Sequence, residues 1–252
     1  MNNIGYVVGD FNNIPINCVQ VRLHKDSVIP TIITHHNRST MFIHLPCNIF
    51  SCHNRSNYIG SNSFRYTRHL LQLTADIDCK IVIHFGSAAN GGTLDNVIAF
   101  CQSVCPFINS GRRLLLENSA GQGKYLGWSV DELRYVYARI DKSKIGFCLD
   151  TQHLYGAAMI QMQSMEEVRL LLDVLIPITS GIDLIHLNDS KVTFGSRKDS
   201  HARLGQGYIW SSRIDILVET VNEFYRRGIP MIPETPDAYG DYLIVKSMIR
   251  IG

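Results

Sequence analysis

What the sequence lacks narrows it first. It contains no run of about 18 apolar residues, so no membrane-spanning helix is expected. Its opening, MNNIGYVVGD, has no basic region followed by a long apolar stretch. No secretory signal is therefore expected, and the chain is expected inside the cell, in nucleus or cytoplasm. No CxxC pair occurs among Cys18, Cys47, Cys52, Cys79, Cys101, Cys105 and Cys148, which leaves neither a zinc ribbon nor a dithiol redox motif. Scattered and odd in number, these cysteines are expected to be reduced, several of them buried as small apolar groups. Charge excess is also missing. The 24 Lys and Arg stand against 22 Asp and Glu, a net charge of +2. That balance announces no polyanionic partner, so a nucleic acid would need a local positive field or bound metal ions. No low-complexity segment, linker or exact repeat divides the chain, and residues 1–252 are read as one domain.

What is present is an alternation. The 252 residues are 45% hydrophobic and 18% charged, a globular composition. The length is near the roughly 250 residues of one (β/α)8 barrel. Short apolar runs recur as NIGYVV, NCVQVRL, TMFIHL, CKIVIHF, RRLLLEN, SKIGFCLD, IDLIHLND and IPMIPE. Continuous apolar runs suit strands buried on both faces of a parallel sheet. Between them, SVDELRYVYARI opens with Ser129 and has Glu132 three residues later, a capping-box pattern, and SMEEVRLLLDVLIP repeats it with Ser164 and Glu167. SSRIDILVETVNEFYRRG has helical apolar spacing and a glycine stop at Gly228. Residues 63–77 and 93–109 also fit helices. Eight β units alternating with α segments argue for a closed parallel barrel. About seven residues separate the first two runs, fewer than the roughly 10–12 that a helical crossover needs. The expected fold is an α/β (β/α)8 TIM barrel whose shortened N-terminal region lacks or reduces the first helix.

The polar residues then fall into place by strand. His44 and His84 lie near the ends of the third and fourth runs, Glu117 and Asp150 end the fifth and sixth, and His186 and Glu234 end the seventh and eighth. His153 follows Asp150, and Asp199 and His201 lie in the loop after the seventh run. In a (β/α)8 barrel the strand C-termini share one face, where active sites form. Singly, each residue has a bland reading: Glu117 and Asp150 as helix caps, and residues 189–207 as a solvated turn. Together they do not, because turn chemistry favours Gly, Pro, Asn and Ser over ligand-type residues. Four buried carboxylates would repel one another unless cations lay between them. Imidazole with carboxylate and no cysteine suits zinc, manganese or iron. These nine side chains exceed what one tetrahedral ion takes. Two or three ions sharing carboxylates fit, and ions about 3.5–4 Å apart suit in-line attack at phosphorus.

LLLENSAGQG (114–123), GFCLDTQH (146–153), HLNDSKVTFGSRKDSHARLGQG (186–207) and PMIPET (230–235) resemble the endonuclease IV family, the type 2 apurinic/apyrimidinic endonucleases of base excision repair. With FIHLP and VIHFGS they cover most of the chain from about residue 41, while the first 40 residues match poorly. The resemblance implies a (β/α)8 barrel holding three zinc ions. One is held by His44, His84 and Glu117, and Glu117 bridges to a second that also takes Asp150, His186 and Glu234. The third is held by His153, Asp199 and His201. Glu117 and Glu234 are the implied catalytic carboxylates, with Glu234 orienting the attacking water. The implied substrate is double-stranded DNA with an abasic site, cut on the 5′ side by a monomeric enzyme to leave a 3′-hydroxyl and a 5′-deoxyribose phosphate. Removal of 3′ blocking groups would use the same site.

Further expectations concern the DNA. Lys191, Arg197, Lys198 and Arg203 are candidate phosphate contacts. The family fills the gap left by the flipped nucleotide with wedge side chains. In His44-Leu45-Pro46-Cys47-Asn48-Ile49-Phe50, Cys47 and Asn48 are too small, so Ile49 or Phe50 is the candidate wedge. One rival reading is a metal-dependent sugar isomerase or epimerase on a similar barrel, which needs no third ligand set. Another is a non-catalytic DNA-binding protein on a decayed barrel, but decay should have removed ligands, and none is missing.

Overall fold

The computed structural model describes residues 5–8, 18–22, 40–46, 62–174 and 182–250. Each of the apolar runs supplies a strand: β1 (Gly5–Val8), β2 (Cys18–Arg22), β3 (Thr40–His44), β4 (Cys79–His84), β5 (Leu114–Glu117), β6 (Ile145–Asp150), β7 (Ile182–His186) and β10 (Met231–Ile232). They form one 8-stranded sheet in the order β1-β2-β3-β4-β5-β6-β7-β10. Every neighbouring pair is parallel. β10 lies beside β1, so the sheet is nearly closed into a barrel. Two short strands, β8 (Asp189–Ser190) and β9 (His201–Ala202), form a separate antiparallel ribbon after β7. The first crossover, residues 9–17, and the candidate wedge residues Ile49 and Phe50 lie outside the described residues.

The helices between the strands are α1 (Asn62–Leu73), α2 (Leu94–Val104), α3 (Val130–Tyr137), α4 (Thr151–Gly156), α5 (Met165–Val174), α6 (Ile214–Arg226) and α7 (Ala238–Met248). Both serine caps form, with Ser129 Oγ accepting from Glu132 N and Ser164 Oγ from Glu167 N, each at 3.2 Å. The reciprocal half of the box differs from the sequence expectation. Glu132 accepts from Gly127 N (2.6 Å) and Trp128 N (3.1 Å), and Glu167 from Gln163 N (2.8 Å). The approaching chain folds back over each helix start, so its N–H groups reach the carboxylate before the cap residue's own N–H does.

Barrel interior and site follow from one period-2 pattern. Phe42, Val82, Leu115, Cys148, Leu184 and Ile232 form a wholly buried apolar cluster, separate from the larger core beneath the helices. Side chains alternate across a strand, so the residue two positions later faces the same way. Those residues are His44, His84, Glu117, Asp150, His186 and Glu234. Neighbouring register keeps them level: His84 pairs Glu117, and Asp150 pairs His186. A dry layer therefore forms the floor of a polar layer at the strand C-termini.

Candidate metal centre

Glu117 stands at the middle of this layer, 1% exposed, with each carboxylate oxygen turned to a different group of imidazoles. Oε2 lies 2.9 Å from His44 Nε2 and 3.4 Å from His84 Nδ1. Oε1 lies 2.8 Å from His186 Nδ1 and 3.8 Å from His153 Nδ1. Glu234 Oε2 is 3.2 Å from His186 Nδ1. Asp150 lies between the two groups: its Oδ2 is 3.4 Å from His201 Nε2 and 4.0 Å from His186 Nδ1. Its Oδ1 accepts from His153 N at 3.0 Å, capping α4. The helix-cap reading and the site reading of Asp150 thus hold for different oxygens. Asp199 Oδ1 lies 3.4 Å from His153 Nε2 and 3.3 Å from His201 Nε2.

All nine side chains singled out in the sequence come to one barrel mouth. Their ligand atoms draw together as His44, Glu117, His186 and Glu234 in one group and Asp150, His153 and His201 in another, each within 4.8 Å. A cavity of ≈ 470 Å³ opens above them, lined in part by Arg22, Leu45, Pro46, His84, Glu117 and Glu234.

Do these residues fit metal ions? The imidazole protons point to it. Nδ1 donates to a backbone carbonyl in His44 (Leu45 O, 2.8 Å), His153 (Asn118 O, 2.9 Å) and His201 (Glu234 O, 3.2 Å). In the neutral ring that leaves Nε2 as the lone-pair donor toward the site, the usual outer-sphere arrangement of a ligating histidine. Nε2 of His153 and His201 is buried with no hydrogen-bond partner. His186 is turned the other way, donating Nε2–H to Gln20 Oε1 at 2.8 Å and presenting Nδ1. Two ligands of a tetrahedral zinc, each about 2.0–2.1 Å from it, stand about 3.3 Å apart. The separations of 3.2, 3.3 and 3.4 Å from His186 to Glu234, His201 to Asp199 and His153 to Asp199 have that spacing. The donor set fits.

Electrostatics of the polypeptide agree with a cation-seeking site. Burial works against the Glu117 charge, but His84 and His186 outweigh it and hold the carboxyl well below its ordinary range. Asp199 is lowered to about 2, because His153 and His201 prevail over burial. Burial lowers His84 to about 4 despite Glu117. His201 goes the other way: burial opposes its proton, yet Asp150 and Asp199 hold it up at about 9. Burial, then Glu117, Glu234 and Asp150, pushes the Cys148 thiol well above its normal value.

Comparison with known proteins adds the ancestry. Residues 33–248 match the family of xylose isomerase-like TIM barrels. A probable endonuclease 4 from Mycoplasma pneumoniae is 30% identical over 220 residues, covering 84% of this chain and 74% of that protein. The chain belongs to the endonuclease IV family. Another member, a probable endonuclease 4 from Symbiobacterium thermophilum, is 35% identical over 153 residues, 60% of this chain and 51% of that protein. Over such matches the chain spans about half the length of the curated relatives. The crystal structure of endonuclease IV from Thermus thermophilus superposes with a TM-score of 0.75 at 19% identity, covering 97% of this chain and 98% of that one, a likeness of fold.

Within this endonuclease IV family member, sequence reading missed an outer polar layer. Gln20, wholly buried on β2, donates to Glu234 Oε1 at 2.5 Å while accepting from His186. Arg22, two residues on, reaches the same Oε1 through Nε (3.1 Å) and Nη2 (2.9 Å). Asn118 accepts from Asp150 N at 2.7 Å, and Asn188 bridges Asp150 Oδ2 (2.7 Å) to Glu234 N (2.8 Å). The available signals were a glutamine inside an apolar run and an asparagine within two residues of the strand-end Glu117 or His186. Asp189, by contrast, takes no part in these contacts. It is wholly buried and accepts from the N–H groups of Ser190, Gly207 and Ile209 at 2.7–3.0 Å, anchoring its loop.

Of the candidate phosphate contacts, Lys191, Arg197 and Lys198 are exposed. Arg197 lies over the Trp128 ring, 4.2 Å from its centroid. Arg203 is paired with Asp237 (3.0 Å) and Asp241 (3.2 Å), which ties the loop to α7. Among the described residues, no helix is long and apolar enough to cross a membrane.

Proposed function

We propose that this chain is a zinc-dependent endonuclease of base excision repair that hydrolyses the phosphodiester bond 5′ to an abasic site in double-stranded DNA. It would leave a 3′-hydroxyl and a 5′-deoxyribose phosphate, and the same site would clear blocked 3′ ends. The observation that carries the reading is the set of imidazole–carboxylate pairs about 3.3 Å apart, the outer ring nitrogen of each imidazole held by a carbonyl oxygen: Asn118 O for His153, Glu234 O for His201 and Gln20 Oε1 for His186. It is supported by membership of the family. The proposed holders are His44, His84 and Glu117 for one ion; Glu117, Asp150, His186 and Glu234 for a second; His153, Asp199 and His201 for a third. Asp150, which also approaches His201, would stand between the second and third.

Bound zinc supplies Lewis-acid activation of the phosphoryl oxygens and a water acidified to a pKa of about 7. The protein's own groups do the rest. Glu117 turns one oxygen to each side and keeps both sides in fixed register. Glu234, its Oε1 held by Gln20 and Arg22, keeps Oε2 toward His186, where it would orient the attacking water. The apolar floor under the ligands excludes water from below, which strengthens each charge interaction above it. Lys191, Arg197 and Lys198 would hold the flanking phosphates, with Ile49 or Phe50 as the wedge.

The test is metal content together with nicking of a duplex carrying one abasic analogue. Protein prepared without chelator is expected to carry about three zinc ions per chain, and chelation is expected to abolish nicking. One ion or none in protein that still nicks would end the three-metal reading. Replacing Lys191, Arg197 and Lys198 together by alanine is expected to weaken duplex binding and to flatten its log–log salt dependence by about 1 for each phosphate contact removed. An unchanged slope in filter-binding titrations would assign these side chains to solvent.

A further inference from the structure

We propose that Gln152 is a positioning residue that presents Asp199 to the site; the inference rests on the metal reading above. Asp199 needs such a device. Its side chain is 41% exposed, and it lies in residues 191–200, where no strand or helix supports it. His153 and His201, the residues it must meet, are 5% and 14% exposed on regular elements.

Gln152 grips the chain on both sides of Asp199. Its Nε2 donates to Lys198 O at 2.9 Å, and its Oε1 accepts from Ser200 N at 3.3 Å. Nε2 also lies 3.4 Å from Ser190 Oγ, at the base of the same loop. The residue is wholly buried, so these bonds have no water to replace them. A primary amide is suited to the task because it donates and accepts at once. Between the gripped groups, Asp199 N donates to Gln122 Oε1 at 3.1 Å. The carbonyl end of α4 completes the dock: Gly195 N donates to Tyr155 O (3.2 Å) and Arg197 N to Gly156 O (2.9 Å). Gly156 permits that approach, since a Cβ there would meet Lys198 O and the Ala120 Cβ at 3.2 Å. Asp150, Gln152 and His153 thus belong to one helical turn, which carries ligand-type side chains and the clamp for a third.

The test compares the wild type with Gln152→Leu, which keeps bulk and removes every bond, and Gln152→Glu, which keeps the acceptor for Ser200 but cannot donate to Lys198 O. In metal-stripped protein, the Ser200 amide is expected to exchange several-fold faster in the leucine variant and at the wild-type rate in the glutamate variant. In chelator competition, the leucine variant is expected to bind one ion about 10–100-fold more weakly, as for other lost outer-sphere partners. The remaining ions and the melting temperature should change little, and the glutamate variant should recover part of the loss. A folded leucine variant holding all ions as tightly as wild type would overturn the proposal and leave the metal reading intact. A wild-type chain that takes up no zinc would overturn both. If the leucine variant does not fold, a glutamate variant with wild-type exchange at Ser200 and wild-type affinity for every ion would overturn the Lys198 half of the clamp.

Discussion

Glu234→Gln is expected to lower the rate of abasic-site nicking by at least about a thousandfold, roughly 4 kcal/mol of barrier, with affinity for abasic DNA nearly unchanged. The direction of the amide decides this. Glu234 Oε1 receives N–H groups from Gln20 and from Arg22 Nε and Nη2, so a glutamine must place its carbonyl oxygen there. Its NH₂ then occupies the place of Oε2, 3.2 Å from His186 Nδ1 and facing the cavity. A group with two hydrogens and no lone pair can neither ligate an ion nor accept from an attacking water. The side chain keeps its volume and its outer contacts, so DNA binding should survive. Single-turnover nicking and duplex affinity measured on the same preparation check this. A rate within about tenfold of wild type, only about 1.4 kcal/mol, would remove Glu234 from the chemistry.

Glu117→Gln is expected to cost more than activity: bound zinc should fall from about three ions per chain to about one. Both oxygens of Glu117 face imidazole nitrogens, Oε2 toward His44 and His84 and Oε1 toward His186. Whichever way the amide turns, an NH₂ meets one of these groups. The set made of His153, Asp199 and His201 does not depend on Glu117 in the same way, since His153 Nδ1 stands 3.8 Å from that carboxylate and donates elsewhere, to Asn118 O. Elemental analysis after gel filtration reads the outcome. Full zinc content in the variant would show that Glu117 is no bridge.

The barrel could be read from sequence because parallel strands are covered on both faces and so appear as unbroken apolar runs. The last run, IPMIPE, was the hardest to bound. Pro230 and Pro233 lack N–H groups for the ladder, and only Met231–Ile232 pair as strand. Of the nine side chains at the barrel mouth, His153, Asp199 and His201 lie beyond a run; the other six were legible because each lies at or near the end of one. Two helices were not. α4 begins directly at the carboxylate that caps it, leaving no loop to announce it, and α7 carries Gly240 in its first turn, where a glycine argues against helix. Least legible were Gln20, Arg22 and Gln152. Each is an ordinary polar residue whose partners lie far along the chain, as with the 214 positions between Gln20 and Glu234. Local spacing carries no trace of such a bond.

That same Gln20–Glu234 link bears on how the protein folds. β10 has a ladder with β7, and beside it lies β1, so the two ends of the sheet meet at this seam. Gln20 and Arg22 reach across it from β2 to Glu234, just beyond β10. Contacts this distant in sequence close a loop that takes in most of the molecule and are favourable only late, after most of the ordering entropy has been spent. A cation held within the group His44, Glu117, His186 and Glu234, which takes in strands on both sides of the seam, would therefore act late in folding. Its removal should show mainly as faster unfolding, with the early collapse of the central strands left untouched.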